Sequence, residues 1–99
     1  MSKQHELIGK ILDKGKGKVY NKKSAYYGNT YLRLAVKLEN KKEVREILVF
    51  QDSKVWQEIQ RVDYLGKRYI FYCSALISNY QIVSYQLVDW KELRNYGSN

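Results

Sequence analysis

Apolar and polar positions alternate with a period near two along much of this chain, most clearly from Thr30 to Leu38. Thr30, Leu32, Leu34, Val36 and Leu38 point one way, and Tyr31, Arg33, Ala35 and Lys37 the other. The first set predicts a core face. The second predicts a cationic outer face with an aromatic ring at one end. Residues 6–20 read as an earlier strand with a long twisted tail, in which Leu7, Gly9 and Ile11 alternate with Ile8, Lys10 and Leu12. Gly9 is expected to mark a bulge or bend, and Gly15 and Gly17 to loosen the strand before Val19 and Tyr20. Residues 21–29 form a polar, tyrosine-bearing loop closed by Gly28 and Asn29.

After a turn at residues 39–42, a third strand is expected from Val44 to Phe50. Its run Ile47-Leu48-Val49-Phe50 predicts burial on both sides toward its end. Asp52 or Ser53 is placed to cap a helix ending at Val62 or Asp63, with Val55, Trp56, Ile59 and Val62 on one core-facing stripe. Gly66 is placed to end the connection that follows. A fourth strand over 68–77 sets Ile70, Tyr72, Ser74 and Leu76 on one side, and Tyr69, Phe71, Cys73, Ala75 and Ile77 on the other. A turn at Ser78-Asn79 leads into a fifth strand from Gln81 to about Trp90, and residues 95–99 look frayed.

Three strands, one short helix and two strands predict an all-β fold with a single helix between strands three and four. That is the order of the five-stranded Greek-key barrel of the OB-fold. Ninety-nine residues make one domain, with a core spanning about 6–93. Such barrels bind nucleic acid on strands two and three and on the loops joining strands one–two and four–five.

Charge sharpens this expectation. The first 42 residues hold eleven Lys and Arg against three acids, which accounts for the whole net charge of +8, while the rest is neutral. A basic excess confined to one stretch is the footprint of a polyanion. Interleaved tyrosines suggest a polyanion with bases to stack on. The predicted nucleic-acid-binding set is therefore Lys10, Lys14, Lys16, Lys18, Tyr20, Lys22, Lys23, Tyr26, Tyr27, Tyr31, Arg33 and Lys37. Tyr26 and Tyr27 either bind or fold back on the barrel. Tyr69 and Phe71 form either a binding face or a subunit interface. Trp56 is read as core, and Trp90 as either a cap on the barrel's end or a subunit contact. Cys73 is read as a small strand hydrophobe and His5 as an exposed terminal residue.

Several function classes are disfavoured. One cysteine and one histidine leave neither an internal disulfide nor an ordinary His/Cys metal site, so no cofactor is expected. No apolar run approaches 18 residues, no signal peptide is read at the N-terminus, and no membrane partner is expected. The Gly15-Lys16-Gly17-Lys18 segment lacks the spacing and following helix of a phosphate-binding loop. With no base at reach of a serine or the cysteine, the reading is a non-enzyme. Abundant Lys, Asn, Tyr and Ile with no Pro match an AT-rich coding sequence. This places the expected setting in the cytoplasm or nucleoid of a low-GC bacterium, phage or plasmid host, or inside an organelle.

Four segments resemble the single-stranded DNA-binding protein family of OB-folds: ELIGKIL, GNTYLRLAVKL, EILVFQDSKVWQEI and GKRYIFYCSALIS. The second is similar to the family's small residue, spacer and F-x-L-A-V pattern, and the fourth to G-x-x-V-x-V-x-G-x-L, with Ser74 where Gly is frequent. The ending RNYGSN lacks the acidic-tipped tail of the family's bacterial members, so the likeness is to tail-less relatives such as primosomal replication protein N. The resemblance implies single-stranded DNA binding in replication, recombination or repair, a homodimer or other homo-oligomer, and replication proteins as further partners. Two alternatives stand beside it: an RNA-binding OB-fold subunit of a ribosomal or organellar complex, and a protein–protein OB module in an oligomer.

Overall fold

In the computed structural model, which describes residues 4–25 and 27–93, alternation becomes five strands and one short helix. They are β1 (Gln4–Lys18), β2 (Thr30–Leu38), β3 (Val44–Phe50), α1 (Trp56–Arg61), β4 (Arg68–Ser78) and β5 (Gln81–Leu93). The strands hydrogen-bond in the order β1-β2-β3-β5-β4, and β4 pairs back to β1, so the sheet closes on itself. Every pairing is antiparallel except β3–β5, which is parallel and short: Ile47 opposite Tyr85 and Leu48 opposite Gln86. No helix of the described chain is long and apolar enough to cross a membrane.

The predicted core face of β2 is the core face: Leu32, Leu34, Val36 and Leu38 are buried. They meet Ile11 from β1, Ile47 and Val49 from β3, and Leu87 from β5. Val55, Trp56 and Ile59 complete that cluster from the α1 side. Burying side chains such as these stabilises the fold by roughly 1.5–3 kcal/mol each.

Three local expectations need correction. The helix is shorter than its sequence signals suggest, and its N-cap position is Val55, without a side-chain cap. Ser53 Oγ instead accepts the Val55 N–H at 3.3 Å and its carbonyl accepts the Trp56 N–H, a turn that delivers both apolar side chains to the core. The β4–β5 turn is centred on Asn79 and Tyr80, with φ of 53° and 64°, the double left-handed geometry of tight hairpins. Gly9 is no bulge: it pairs with Leu38 and Tyr69 at once, and a β-carbon there would overlap the Lys37 carbonyl.

The parity read for β4 holds, but its buried side is the aromatic one. Tyr69, Phe71 and Cys73 are buried, so Tyr69 and Phe71 belong to the core and to neither a binding face nor a subunit contact. β4 lies between β1 and β5, and closure of the sheet turns this face inward. Trp90 lies over Tyr69 with ring centroids 4.8 Å apart, covering that part of the core. His5 is likewise no loose terminal residue, for it lies in β1, half-buried and edge-on to Tyr85 at 5.5 Å.

Arg68 at the start of β4 holds Glu39 just past β2 through a two-pronged contact, one arm being Nη2 to Oε2 at 2.9 Å. The guanidinium keeps the Glu39 carboxyl below the usual carboxylate range. Burial of the Cys73 thiol has the opposite consequence: desolvation pushes it up to about 12, so it stays protonated and unreactive at neutral pH.

Candidate nucleic-acid interface

One extra residue in β1 decides which side chains share a face. The β1–β2 register shifts between Ile11 and Asp13, leaving Leu12 as the bulged residue. Strand side chains alternate with a period of two, so one inserted residue reverses everything downstream. Before the bulge, Lys10 lies opposite Lys37 on the outer side. After it, Asp13, Gly15 and Gly17 face outward opposite Ala35, Arg33 and Tyr31, while Lys14, Lys16 and Lys18 pair with Leu34, Leu32 and Thr30.

The predicted lysines therefore divide. Lys14 turns to the helix: its ammonium donates to the carbonyls of Ile59, Gln60 and Val62 at 3.1, 3.2 and 3.3 Å. It also sits 5.1 Å from the centre of the Tyr64 ring. Three carbonyls use all three donors of an ammonium and satisfy the C-terminal end of α1. Lys14 is thus occupied as a helix cap. Lys14→Met is expected to lower stability by about 1–3 kcal/mol, the scale of hydrogen bonds to a charged donor, as read from urea unfolding curves. Lys16 stands beside it at a cleft of about 250 Å³ that includes Gly15, Leu32 and Gln60.

The outer side of β1–β2–β3 is built in rows. Lys10, Lys37 and Val44 form the first, Asp13, Ala35 and Glu46 the second, Gly15, Arg33 and Leu48 the third, and Gly17, Tyr31 and Phe50 the fourth. Arg33 Nε lies 3.5 Å from Glu46 in an exposed pair. The middle of this face is thus mixed in charge, and its cleft of about 410 Å³ is bordered by Asp13, Arg33, Arg45 and Glu46. Cations gather at its two ends.

The fourth row is an aromatic platform. Tyr31 and Phe50 approach with centroids 6.1 Å apart, and the Tyr31 ring lies so close over β1 that only a glycine fits beneath it. A β-carbon on Gly17 would stand 2.7 Å from Tyr31 Cζ. Phe50 is buried on this side, away from the main core cluster, which accounts for the double-sided burial expected of β3. Sequence reasoning included Tyr31 but missed Gly17, Leu48 and Phe50. The apolar run of β3 carried that signal, and only the register says which ring it meets.

The β1–β2 loop borders the same platform. Val19 N–H donates to the Asn29 carbonyl at 3.0 Å and Gly28 N–H to the Val19 carbonyl at 2.9 Å, extending the hairpin beyond the two strands. Gly28 has φ of 84°, which suits a residue without a β-carbon. The Asn21 side chain accepts the Lys23 N–H at 3.0 Å, turning the chain at Lys22 and Lys23. Lys18, Tyr20, Asn21 and Ser24 face Tyr31, Leu48 and Phe50 across a cleft of about 340 Å³. Tyr20 is 80% exposed and Tyr27 52%. Tyr26 lies outside the described residues.

Ion pairing leaves this end uncompensated. Glu39, Glu43, Glu46, Asp89 and Glu92 are engaged by Arg68, Arg45 with Lys41, Arg33, Lys54 and Lys67 respectively. Lys10, Lys16, Lys18, Lys22, Lys23 and Lys37 are exposed and form no ion pair among the described residues. Comparison with known proteins returns no matching family model, curated protein or solved structure.

Proposed function

We propose that this protein is a non-catalytic binder of single-stranded nucleic acid, with single-stranded DNA in replication, recombination or repair as the leading ligand. We propose further that the closed sheet is an OB-fold barrel. The order β1-β2-β3-β5-β4-β1, with α1 between β3 and β4, supports that assignment.

The observation that carries the functional reading is the cleft where Lys18, Tyr20 and Tyr31 meet, with unpaired Lys22 and Lys23 on the same loop. Ammonium groups attract a phosphate chain and release its counterions. Exposed tyrosine rings offer faces on which unpaired bases stack, at roughly 1–3 kcal/mol per base. A duplex supplies the phosphates but keeps its bases paired, so stacking selects single strands. Asp13 and Glu46 in the middle of the sheet face repel phosphate, which directs the strand toward the loop end and away from the Arg33–Glu46 pair.

The discriminating experiment is competition for a labelled oligonucleotide by unlabelled single-stranded DNA, RNA and duplex DNA of equal length. The expected order puts single strands well ahead of duplex. Equal competition by duplex would remove the role assigned to the tyrosines, and stronger competition by RNA would move the ligand to RNA.

Gly17 gives a finer test. Gly17→Ala forces the Tyr31 ring from its seat, and because the ring's far end can yield, the fold survives. Binding is expected to fall about tenfold, the worth of one stacking contact of ~1–3 kcal/mol. Gly15→Ala is the matched control, since a β-carbon there meets nothing within 4 Å. Anisotropy titrations of the two variants against the same oligonucleotide measure the difference.

A further inference from the structure

Lys10 and Lys37 stand directly opposite one another on β1 and β2, at the end of the sheet face away from the Tyr31 platform. Like charges so placed repel, whereas opposite charges there would attract. Neither lysine has an opposite neighbour. Both are exposed, neither forms an ion pair among the described residues, and the next residue in their row is Val44. Glu39 borders the same cleft of about 240 Å³, but the Arg68 guanidinium holds that carboxylate and offsets its charge. The bulge at Leu12 isolates the pair, because it turns Lys14, Lys16 and Lys18 to the other side of β1. One anionic group between the two ammoniums relieves their repulsion.

This end differs in kind from the loop end. Its cleft is bordered by Gly9, Lys10, Leu12, Lys37, Leu38 and Glu39, with no aromatic ring among them. It can hold phosphate but offers no face on which a base stacks. Pairing of the ligand's bases therefore costs nothing here, and it raises the return on each phosphate. A duplex carries the denser charge, and each neutralised phosphate adds about 0.9 to its salt slope, against about 0.7 for a single strand. The ring platform sets the opposite requirement, since Tyr20 and Tyr31 need unpaired bases. Six residues of β2 separate Tyr31 from Lys37, ~20 Å at the rise of an extended strand. Between them lies the mixed row with Asp13 and Glu46, where a phosphate chain gains nothing.

We infer that the two ends together recognise a junction between single-stranded and duplex nucleic acid. The unpaired segment lies in the cleft with Tyr20 and Tyr31, and a phosphate at the start of the duplex sits between Lys10 and Lys37. The inference rests on the single-strand reading and adds to it a second station with a different preference.

Anisotropy titrations at low salt test it by comparing one labelled strand alone with the same strand half paired to a complement. The tail left unpaired is about ten nucleotides, within the ~4–16 that one OB fold covers. Tails of both polarities are titrated, and a gain with either one supports the inference. Pairing is expected to tighten binding about fivefold, although it removes half of the bases open to stacking. With the loop station alone, pairing would weaken binding. Lys10→Ala with Lys37→Ala is expected to abolish the gain, with Tm unchanged or slightly raised as the opposed charges are removed. Lys54→Ala with Lys91→Ala removes the same charge elsewhere and should keep the gain. Weaker binding on pairing with both polarities overturns the inference. So does a gain that survives in the folded Lys10 and Lys37 variant, or one lost equally in both variants. Absence of binding to the unpaired strand is a separate result, for it removes the single-strand reading on which the inference rests.

Discussion

Phe71→Ala is expected to lower the free energy of unfolding by about 3–5 kcal/mol, the usual cost of emptying an aromatic site in a packed core. Phe71 is fully buried, lies opposite Leu7 of β1 and Trp90 of β5, and has its ring 5.8 Å from that of Tyr69. Domains of this size unfold with about 5–15 kcal/mol in total, so the variant sits near the limit of folding. Urea unfolding followed by circular dichroism gives the value. A loss under about 1 kcal/mol would mean that Phe71 is not held as the structure places it, and would reopen its role as a surface residue. Tyr31→Ala is the contrast: Tyr31 is half-buried and outside the main core cluster, and its removal should affect ligand binding far more than stability.

The second large effect concerns affinity. Replacing Lys16, Lys18, Lys22 and Lys23 together with alanine is expected to weaken single-strand binding on the order of a hundredfold or more at 50 mM salt. The slope of log affinity against log salt should fall by up to about 3, because each single-strand phosphate contact contributes about 0.7. Lys14 is left in place because its ammonium caps α1, and its removal would mix stability with binding. The control replaces Lys42, Lys54, Lys67 and Lys91, which lie off β1, β2 and their connecting loop and change the net charge equally. If both quadruple variants lose affinity alike, binding follows overall charge and the loop has no special part. Anisotropy titrations at several salt concentrations separate the two outcomes.

Much of the architecture was legible because it depends on period alone. The two faces of β2, the position of the helix and the parity of β4 follow from which residues alternate, and all are found where the pattern puts them. The candidate site was harder to read, for a physical reason. Leu12 suits either side of a strand, so nothing in β1 announces that it is the bulged residue. Yet that single insertion decides whether Lys14, Lys16 and Lys18 join Arg33 and Tyr31 or oppose them. Lys14 also needed a partner distant in sequence, the carbonyl end of α1 some 45 residues away. For β4 the two faces were visible, but which one turned inward depended on its two neighbours in the closed sheet. The loop lysines and Tyr20 needed no such information: local polarity placed them in solvent, and there they are.

The candidate site is therefore smaller and better defined than the basic stretch as a whole. The basic excess of the first 42 residues does not line one continuous groove. One lysine is spent on the helix, the sheet face is mixed in charge, and Lys18, Lys22 and Lys23 stand unpaired by the loop and the Tyr31–Phe50 platform, while Lys10 and Lys37 lie at the opposite end of the sheet. A ligand held there touches few bases, which favours tolerant recognition over sequence readout.

Single-strand binding at this site is read directly by titrating the wild-type protein with poly(dT) and following tyrosine fluorescence as salt is raised. Quenching is expected on binding, as rings stack on bases, together with an affinity that falls steeply and linearly in log salt. Unquenched fluorescence with no salt-dependent binding would contradict it.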